Sequence, residues 1–302
     1  MTTMRKMIVL SSCLFLSACA TKGNDNEIVI QGSDTEVQLV SALVEAFSTL
    51  HPEAHMSVAG GGSAVGIAAL INGETDIANS SRQMKAEEIA IAKEKGKNPQ
   101  EYILARDGLS VIVHPSNTVT TLTLAQVGEI YAGKITNWKE VGGTDGPIVL
   151  YGRQSTSGTF GFFRDTVVQA DYAASMRQME GTEAVVDGVT ADTQGIGYAG
   201  IGYVADQDGN PRGDVTILTI ASTEGAEAIS PLNQEAVMTG KYPIFRRIYQ
   251  YLPDLPAKDS LIAELLAFES SEEGLTIVQN QGFYPLTVED AAINTAILDS
   301  LR

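Results

Sequence analysis

The chain has 302 residues, 20 Lys and Arg against 37 Asp and Glu, and a formal net charge of −17. So acidic a chain is a poor partner for nucleic acid or anionic lipid, because like charge repels throughout the approach. Its length suits two domains, and its only cysteines, Cys13 and Cys19, stand too near the N-terminus for a disulfide framework or a cysteine-based metal site.

In chain order, Arg5 and Lys6 lead into the apolar stretch MIVLSSCLFL (7–16), and LSAC (16–19) ends on a cysteine after small residues. Charge, apolar run and small residues in that order form an export signal over residues 1–18. The Leu-Ser-Ala-Cys ending resembles a bacterial lipobox. It implies cleavage before Cys19 and a lipid on its sulfur, placing the chain in the periplasm or on the outer cell surface as a membrane-anchored lipoprotein. Plain secretion, with Cys19 incidental, is the alternative. No later stretch reaches the ~18 uncharged apolar residues of a membrane helix.

From residue 27 a strand-then-helix pattern repeats. EIVIQGS (27–33) predicts a strand, and TEVQLVSALVEAFSTLH (35–51) a helix with Val37, Val40, Leu43, Val44 and Phe47 at helical spacing. AHMSVAGGGS (54–63) leads into AVGIAALING, TDIANSS (75–81) into RQMKAEEIAIAKEKG, and PIVLYGRQSTS (147–157) into GTFGFFRDTVVQ. Alternation of this kind predicts an α/β fold with a parallel-rich sheet covered on both faces. LSVIVHPSN (109–117) and KYPIFRRIYQYL (241–252) predict strands flanking a region with its own strand signals, GIGYAGIGYV (195–204) and DVTILTI (214–220). One domain inserted into another fits that order: a first lobe of 27–113 plus 244–302 and an inserted second lobe of 114–243, joined by two crossing strands. A single helix is predicted within 259–282, followed by a tail.

Four loops share one character. GSDT (32–35), GGGS (60–63), NSSR (79–82) and RQSTSGT (153–159) each end a predicted strand in small residues and hydroxyls, with a helix expected at once. A helix start presents unpaired N–H groups, so each is a natural anion seat, and in open parallel sheets ligands sit beyond the carboxyl ends of the strands. Taken singly each loop reads as a helix cap, and Ser33 with Glu36 fits a capping box. Capping requires neither three successive glycines nor Arg153 four residues before Ser157. The glycine loop is neither a Walker loop nor a dinucleotide fingerprint.

GSDT, GGGSAVG, DIANSSR, RQSTSGT and GIGY, in this order after the lipobox, resemble the phosphate-binding proteins of bacterial ABC importers over most of the chain. The resemblance implies a periplasmic-binding-protein-like fold, two-lobed with two crossover strands (type II), that encloses dehydrated inorganic phosphate and delivers it to the permease subunits. Residue by residue it implies a site of Ser33, Asp34, Thr35, Ser63, Ser81, Arg153, Ser157, Gly158 and Thr159. Arg82 is added as a candidate for its place beside Ser81. Some members carry Asp where Ser81 stands and Thr where Asp34 stands; here the carboxylate lies in the first loop. No metal or cofactor is called for, and a monomer is expected.

Two rivals stay open. An exported phosphate sensor or adhesion protein would share the fold without the transport role. A serine hydrolase would need a general base, yet the three histidines, His51, His55 and His114, read as surface or turn residues, and no Gly-x-Ser-x-Gly elbow is present. Phe160, Phe162, Phe163 and Trp138 read as packing residues.

Overall fold

A computed structural model describes residues 26–206 and 208–300; the export signal and Cys19 lie outside the described residues. The chain opens with β1 (Glu27–Gly32), α1 (Val37–Leu50), β2 (His55–Ala59), α2 (Ser63–Asn72), β3 (Ile77–Ser80), α3 (Ala86–Glu94) and β4 (Gln100–Gly108). The inserted region carries β5 (Ser110–Val113), β6 (Thr121–Thr123), α4 (Leu124–Tyr131), β7 (Val149–Arg153), α5 (Gly158–Phe163), β8 (Arg177–Met179), α6 (Thr182–Thr190) and β9 (Gly195–Ala199). It ends with β10 (Thr216–Ile217), β11 (Thr219–Ala221), β12 (Ala228–Ile229) and α7 (Gln234–Met238), before β13 (Phe245–Leu252), α8 (Leu261–Glu269), α9 (Glu272–Asn280) and α10 (Val288–Ser300).

Each lobe has its own sheet. The first runs β2-β1-β3-β13-β4, with β1 parallel to β2 and β3 and β13 antiparallel to both neighbours. The second runs β10-β5-β9-β7-β8, parallel through β9-β7-β8 and antiparallel through β10-β5-β9. Because side chains alternate along a strand, each sheet buries apolar residues on both faces. Ile28, Ile30 and Ile248 pack against Leu43 and Phe47 of α1 on one face of the first sheet, while Ala78 and Tyr249 pack against Ile67 and Leu70 of α2 on the other. In the second lobe Val111, Ile196 and Tyr198 share a core with Trp138 and Phe163, and Ile112 packs with Val185 and Val189 of α6.

The crossings differ from expectation in one place. Residues 110–113, assigned above to the first lobe, form β5 and pair with β9 of the second sheet, so the chain leaves the first lobe at Leu109. The run from Tyr102 to Val113 is buried throughout. Burial therefore does not mark where one sheet hands over to the other; the polar residues Arg106 and Asp107 with Gly108 close β4 just before the crossing. On the return, Tyr242 and Ile244 pack in the second-lobe core and β13 lies wholly in the first sheet. The predicted helix within 259–282 is two helices, broken where the Ser271 hydroxyl accepts the Gly274 N–H and starts α9 afresh. The tail holds α10, which packs against β4 and supplies Asn294 to the Ile103 backbone.

Candidate functional site

β1, β2 and β3 run parallel and end at the same edge of the first sheet, so the loops after Gly32, Ala59 and Ser80 are neighbours. The loop after β7, residues 154–157, meets them from the second lobe. Thr35 Oγ1 and Thr159 Oγ1 are 2.9 Å apart, Ser63 Oγ and Ser81 Oγ 3.3 Å, and Ser81 Oγ and Thr159 Oγ1 3.4 Å. The Ser81 N–H donates to Ser63 Oγ at 3.1 Å, and the Ala64 N–H reaches Thr156 O of the other lobe at 3.0 Å. Ser33, Thr35, Ser63, Ser81, Arg153, Ser157 and Thr159 are all buried.

Two glycines permit this approach. A Cβ on Gly158 would stand 2.3 Å from Ser63 Oγ and 2.7 Å from Ser81 Oγ, so only a bare backbone lets the first-lobe hydroxyls close on α5. Gly62 has φ +99°, in the region that favours glycine, and a Cβ there would strike Thr156 O at 2.6 Å.

Asp34 and Arg153 meet across the lobes. Asp34 Oδ1 accepts the Gly61 N–H at 2.8 Å and Oδ2 accepts from Arg153 Nη2, while the Tyr203 hydroxyl donates to the Asp34 backbone oxygen at 2.6 Å. Asp34 therefore does not cap its own helix, and α1 begins without a side-chain cap, so the Ser33–Glu36 capping box does not form. Arg153 also donates from Nη1 to Thr182 Oγ1 at 2.8 Å. Ser157 does cap: its hydroxyl oxygen accepts the Thr159 and Phe160 N–H groups, leaving its own hydrogen to donate elsewhere.

Of the ten expected site residues, Arg82 lies apart. Its guanidinium forms a two-point ion pair with Glu88 at 2.7 and 2.8 Å and makes no hydrogen bond to the hydroxyl cluster. The cause is local. The helix expected at once after Ser81 starts at Ala86, so the intervening turn carries Arg82 towards Glu88 of the first turn of α3. Ser81 consequently sits on a bend rather than at a helix start.

Three buried groups join the site without a signal in the hydropathy pattern. Asp107 at the end of β4 and Arg246 at the start of β13 are register partners and form an ion pair at 2.8 and 3.0 Å, and Arg246 Nη1 continues to Thr159 Oγ1 at 2.9 Å. Alternation along IFRRIYQ places Arg246 and Ile248 on one face of β13, a usable clue once the strand is known to be buried. Glu36, fully buried, lies beside Ser33. Burial raises its carboxyl well above the ordinary range, outweighing the opposing charge of Arg246. Burial thus favours the uncharged form of this carboxyl behind the loop.

The chemistry available is capture. Buried Ser33 Oγ, Thr156 Oγ1 and Arg153 Nε have no protein hydrogen-bond partner among the described residues. Unpaired buried donors cost on the order of 1–3 kcal/mol each, and an oxyanion with many lone pairs would satisfy them together. No histidine hydrogen-bonds to these hydroxyls among the described residues: His51 lies against Glu53, Glu264 and Phe47, His114 bonds Ser116 in a turn, and His55 is exposed on β2.

A family model described as a PBP superfamily domain matches residues 18–273. The phosphate-binding protein PstS of Pseudomonas aeruginosa is 29% identical over 293 residues, spanning 92% of this chain and 87% of that protein. Among solved structures, a candidate phosphate ABC transporter substrate-binding protein with bound phosphate from Clostridium perfringens has a TM-score of 0.76 at 30% identity, covering 87% of this chain and all of that one, 100%. An ABC-type phosphate transport receptor from Vibrio cholerae has a TM-score of 0.68 at 28% identity, covering 86% of this chain and 100% of that chain.

Proposed function

The chain belongs to the PBP superfamily, and from that premise we propose that it is an exported, lipid-anchored receptor that encloses inorganic phosphate between its lobes and delivers it to the permease subunits of an ABC importer. One observation carries the reading: buried, unpartnered donors on Ser33, Thr156 and Arg153 belong to the same loops and strand ends that bring together a cluster of hydroxyls from both lobes. The similarity to proteins named for phosphate binding and transport supports the choice of anion.

In this reading Ser33, Thr35, Ser63, Ser81, Ser157 and Thr159 donate to the phosphate oxygens, bare Gly158 lets them close in, and Arg153 adds charge-assisted N–H donors. Hydrogen bonds in a dry pocket, rather than net charge, hold the anion, which reconciles capture with an acidic chain. Asp34 accepts the proton that phosphate retains near neutral pH, since a carboxylate offers about four acceptor positions and only two are occupied by Gly61 and Arg153. Sulfate carries no such proton and would set a lone pair against the carboxylate. Residues 26–109 with 243–300, and 110–242, act as the two closing bodies.

Equilibrium dialysis with radiolabelled phosphate tests the reading. Saturable binding at one site per chain, not displaced by a hundredfold excess of sulfate, is expected; equal displacement by sulfate would overturn the assignment. For the anchor, Cys19→Ala is expected to move the protein from the membrane fraction to the soluble one, and unchanged fractionation would refute lipid attachment.

A further inference from the structure

We infer that Arg246, held by Asp107 where the chain crosses between lobes, is a positioning residue for the anion site: it fixes the direction of the Thr159 hydroxyl and ties that direction to lobe closure. The inference rests on the phosphate reading above. Arg246 and Asp107 face each other in the β13–β4 register, at the edge of the first sheet that borders the second lobe. Arg246 Nε and Nη2 both donate to Asp107 Oδ2, at 3.0 and 2.8 Å, and the two side chains are 2% and 0% exposed. A planar guanidinium held at two points has little freedom left, so the direction of its third nitrogen is set.

That nitrogen, Nη1, points out of the first lobe's strand. It donates to Thr159 Oγ1 at 2.9 Å and to the Ser81 backbone oxygen at 3.2 Å. Asp107 reaches across as well, its Oδ1 accepting the Ile201 N–H of the second lobe at 3.2 Å. The Phe162 ring of α5 lies over the guanidinium, 5.5 Å from ring centre to Cζ. Each member of the pair therefore has contacts in both lobes, and these contacts exist together only when the lobes are closed.

The consequence for Thr159 follows from donor counting. Guanidinium has no acceptor, so the Arg246–Thr159 bond uses a lone pair of the threonine oxygen. The single hydroxyl hydrogen is then directed away from Arg246, towards the side where Thr35 and Ser81 converge. Without Arg246 the hydroxyl can rotate and present a lone pair to an oxyanion, which is repulsive. Because Asp107 balances its charge, Arg246 acts on direction more than on the local field.

The test is a double-mutant cycle read by phosphate calorimetry and thermal unfolding. Arg246→Gln with Asp107→Asn replaces the pair without leaving a buried lone charge, and is compared in the parent and in Thr159→Val. Arg246→Lys, which keeps the charge but loses the fork, is the second variant should the neutral pair fold poorly. The pair replacement is expected to raise the phosphate Kd at least tenfold in the parent and less than threefold in Thr159→Val, and Arg246→Lys to behave alike. Equal losses in both backgrounds, or unchanged affinity in the parent, would overturn the positioning role while leaving phosphate binding intact. A parent protein that binds no phosphate would instead remove the phosphate reading, and this inference with it.

Discussion

Asp34, on the loop that precedes α1, and Arg153, at the end of β7, form an ion pair across the two lobes, with the arginine side chain 1% exposed and the aspartate 18%. The asymmetry matters. The cation is fixed within the second lobe by Thr182, whereas the carboxylate sits at the rim between Gly61 and the guanidinium. Asp34 thus balances Arg153 and, in the function proposed above, also meets the incoming anion.

Asp34→Asn keeps the shape of the loop but substitutes a donor-bearing amide for an acceptor-only carboxylate. Sulfate should gain affinity, because it no longer faces a negative charge and Arg153 is no longer balanced. The gap between phosphate and sulfate should narrow tenfold or more, equivalent to roughly 1.4 kcal/mol. Calorimetric titration with both anions checks this; unchanged discrimination would show that the selecting acceptor lies elsewhere.

Arg153→Ala removes a charge-assisted donor set from a dry pocket and should cost about 2–5 kcal/mol of phosphate binding. The fold should persist, since Asp34 is partly exposed and can be solvated once its partner is gone. Phosphate affinity and thermal midpoint measured together separate the two effects.

Closure is a third expectation. Thr35–Thr159, Ala64–Thr156 and Asp34–Arg153 all bridge the lobes, so this arrangement is the closed one. Hinging at Leu109 and near residue 243 should make the ligand-free protein measurably larger in solution scattering, and saturating phosphate should shrink it. Identical profiles would contradict hinged lobes.

Stability should also carry a pH signature unrelated to the ligand. Burial pushes the Glu269 carboxyl up to about 8, with Gln250 donating to it at 3.1 Å. A carboxyl whose folded pKa is raised binds its proton more tightly when folded. Its contribution is therefore complete below the unfolded value, about 4.3, and is lost as pH rises through about 8. The thermal midpoint of Glu269→Gln should accordingly gain on the parent between pH 5 and pH 9; parallel profiles would refute a buried neutral acid.

Much of the first lobe can be read from residues alone, because Ile28 and Ile30 alternate where Leu39, Val40, Leu43 and Phe47 recur at helical spacing, and the change of period marks the loop between them. The hydroxyl-rich loops are legible for a similar reason: donor density at strand ends is a local property. What depends on tertiary placement is not. Glu36 has the spacing of a capping glutamate, and only the packed fold shows it buried. Arg82 and Arg246 both sit next to polar neighbours in the chain, yet one pairs with Glu88 on an outer turn and the other with Asp107 in the core. The crossing at Leu109 directly follows Arg106, Asp107 and Gly108, a polar break that reads as a turn in the sequence although the fold buries it as the end of β4.

In the proposed function, hydroxyls from two lobes, with Arg153 and Asp34, form one enclosed seat for phosphate. Calorimetric titration of the purified chain, first freed of carried-over anion by partial unfolding and refolding, addresses it most directly. One phosphate per chain is expected at pH 7, with sulfate weaker by at least a hundredfold. Absence of phosphate binding at millimolar concentration, or binding of sulfate with equal affinity, would contradict it.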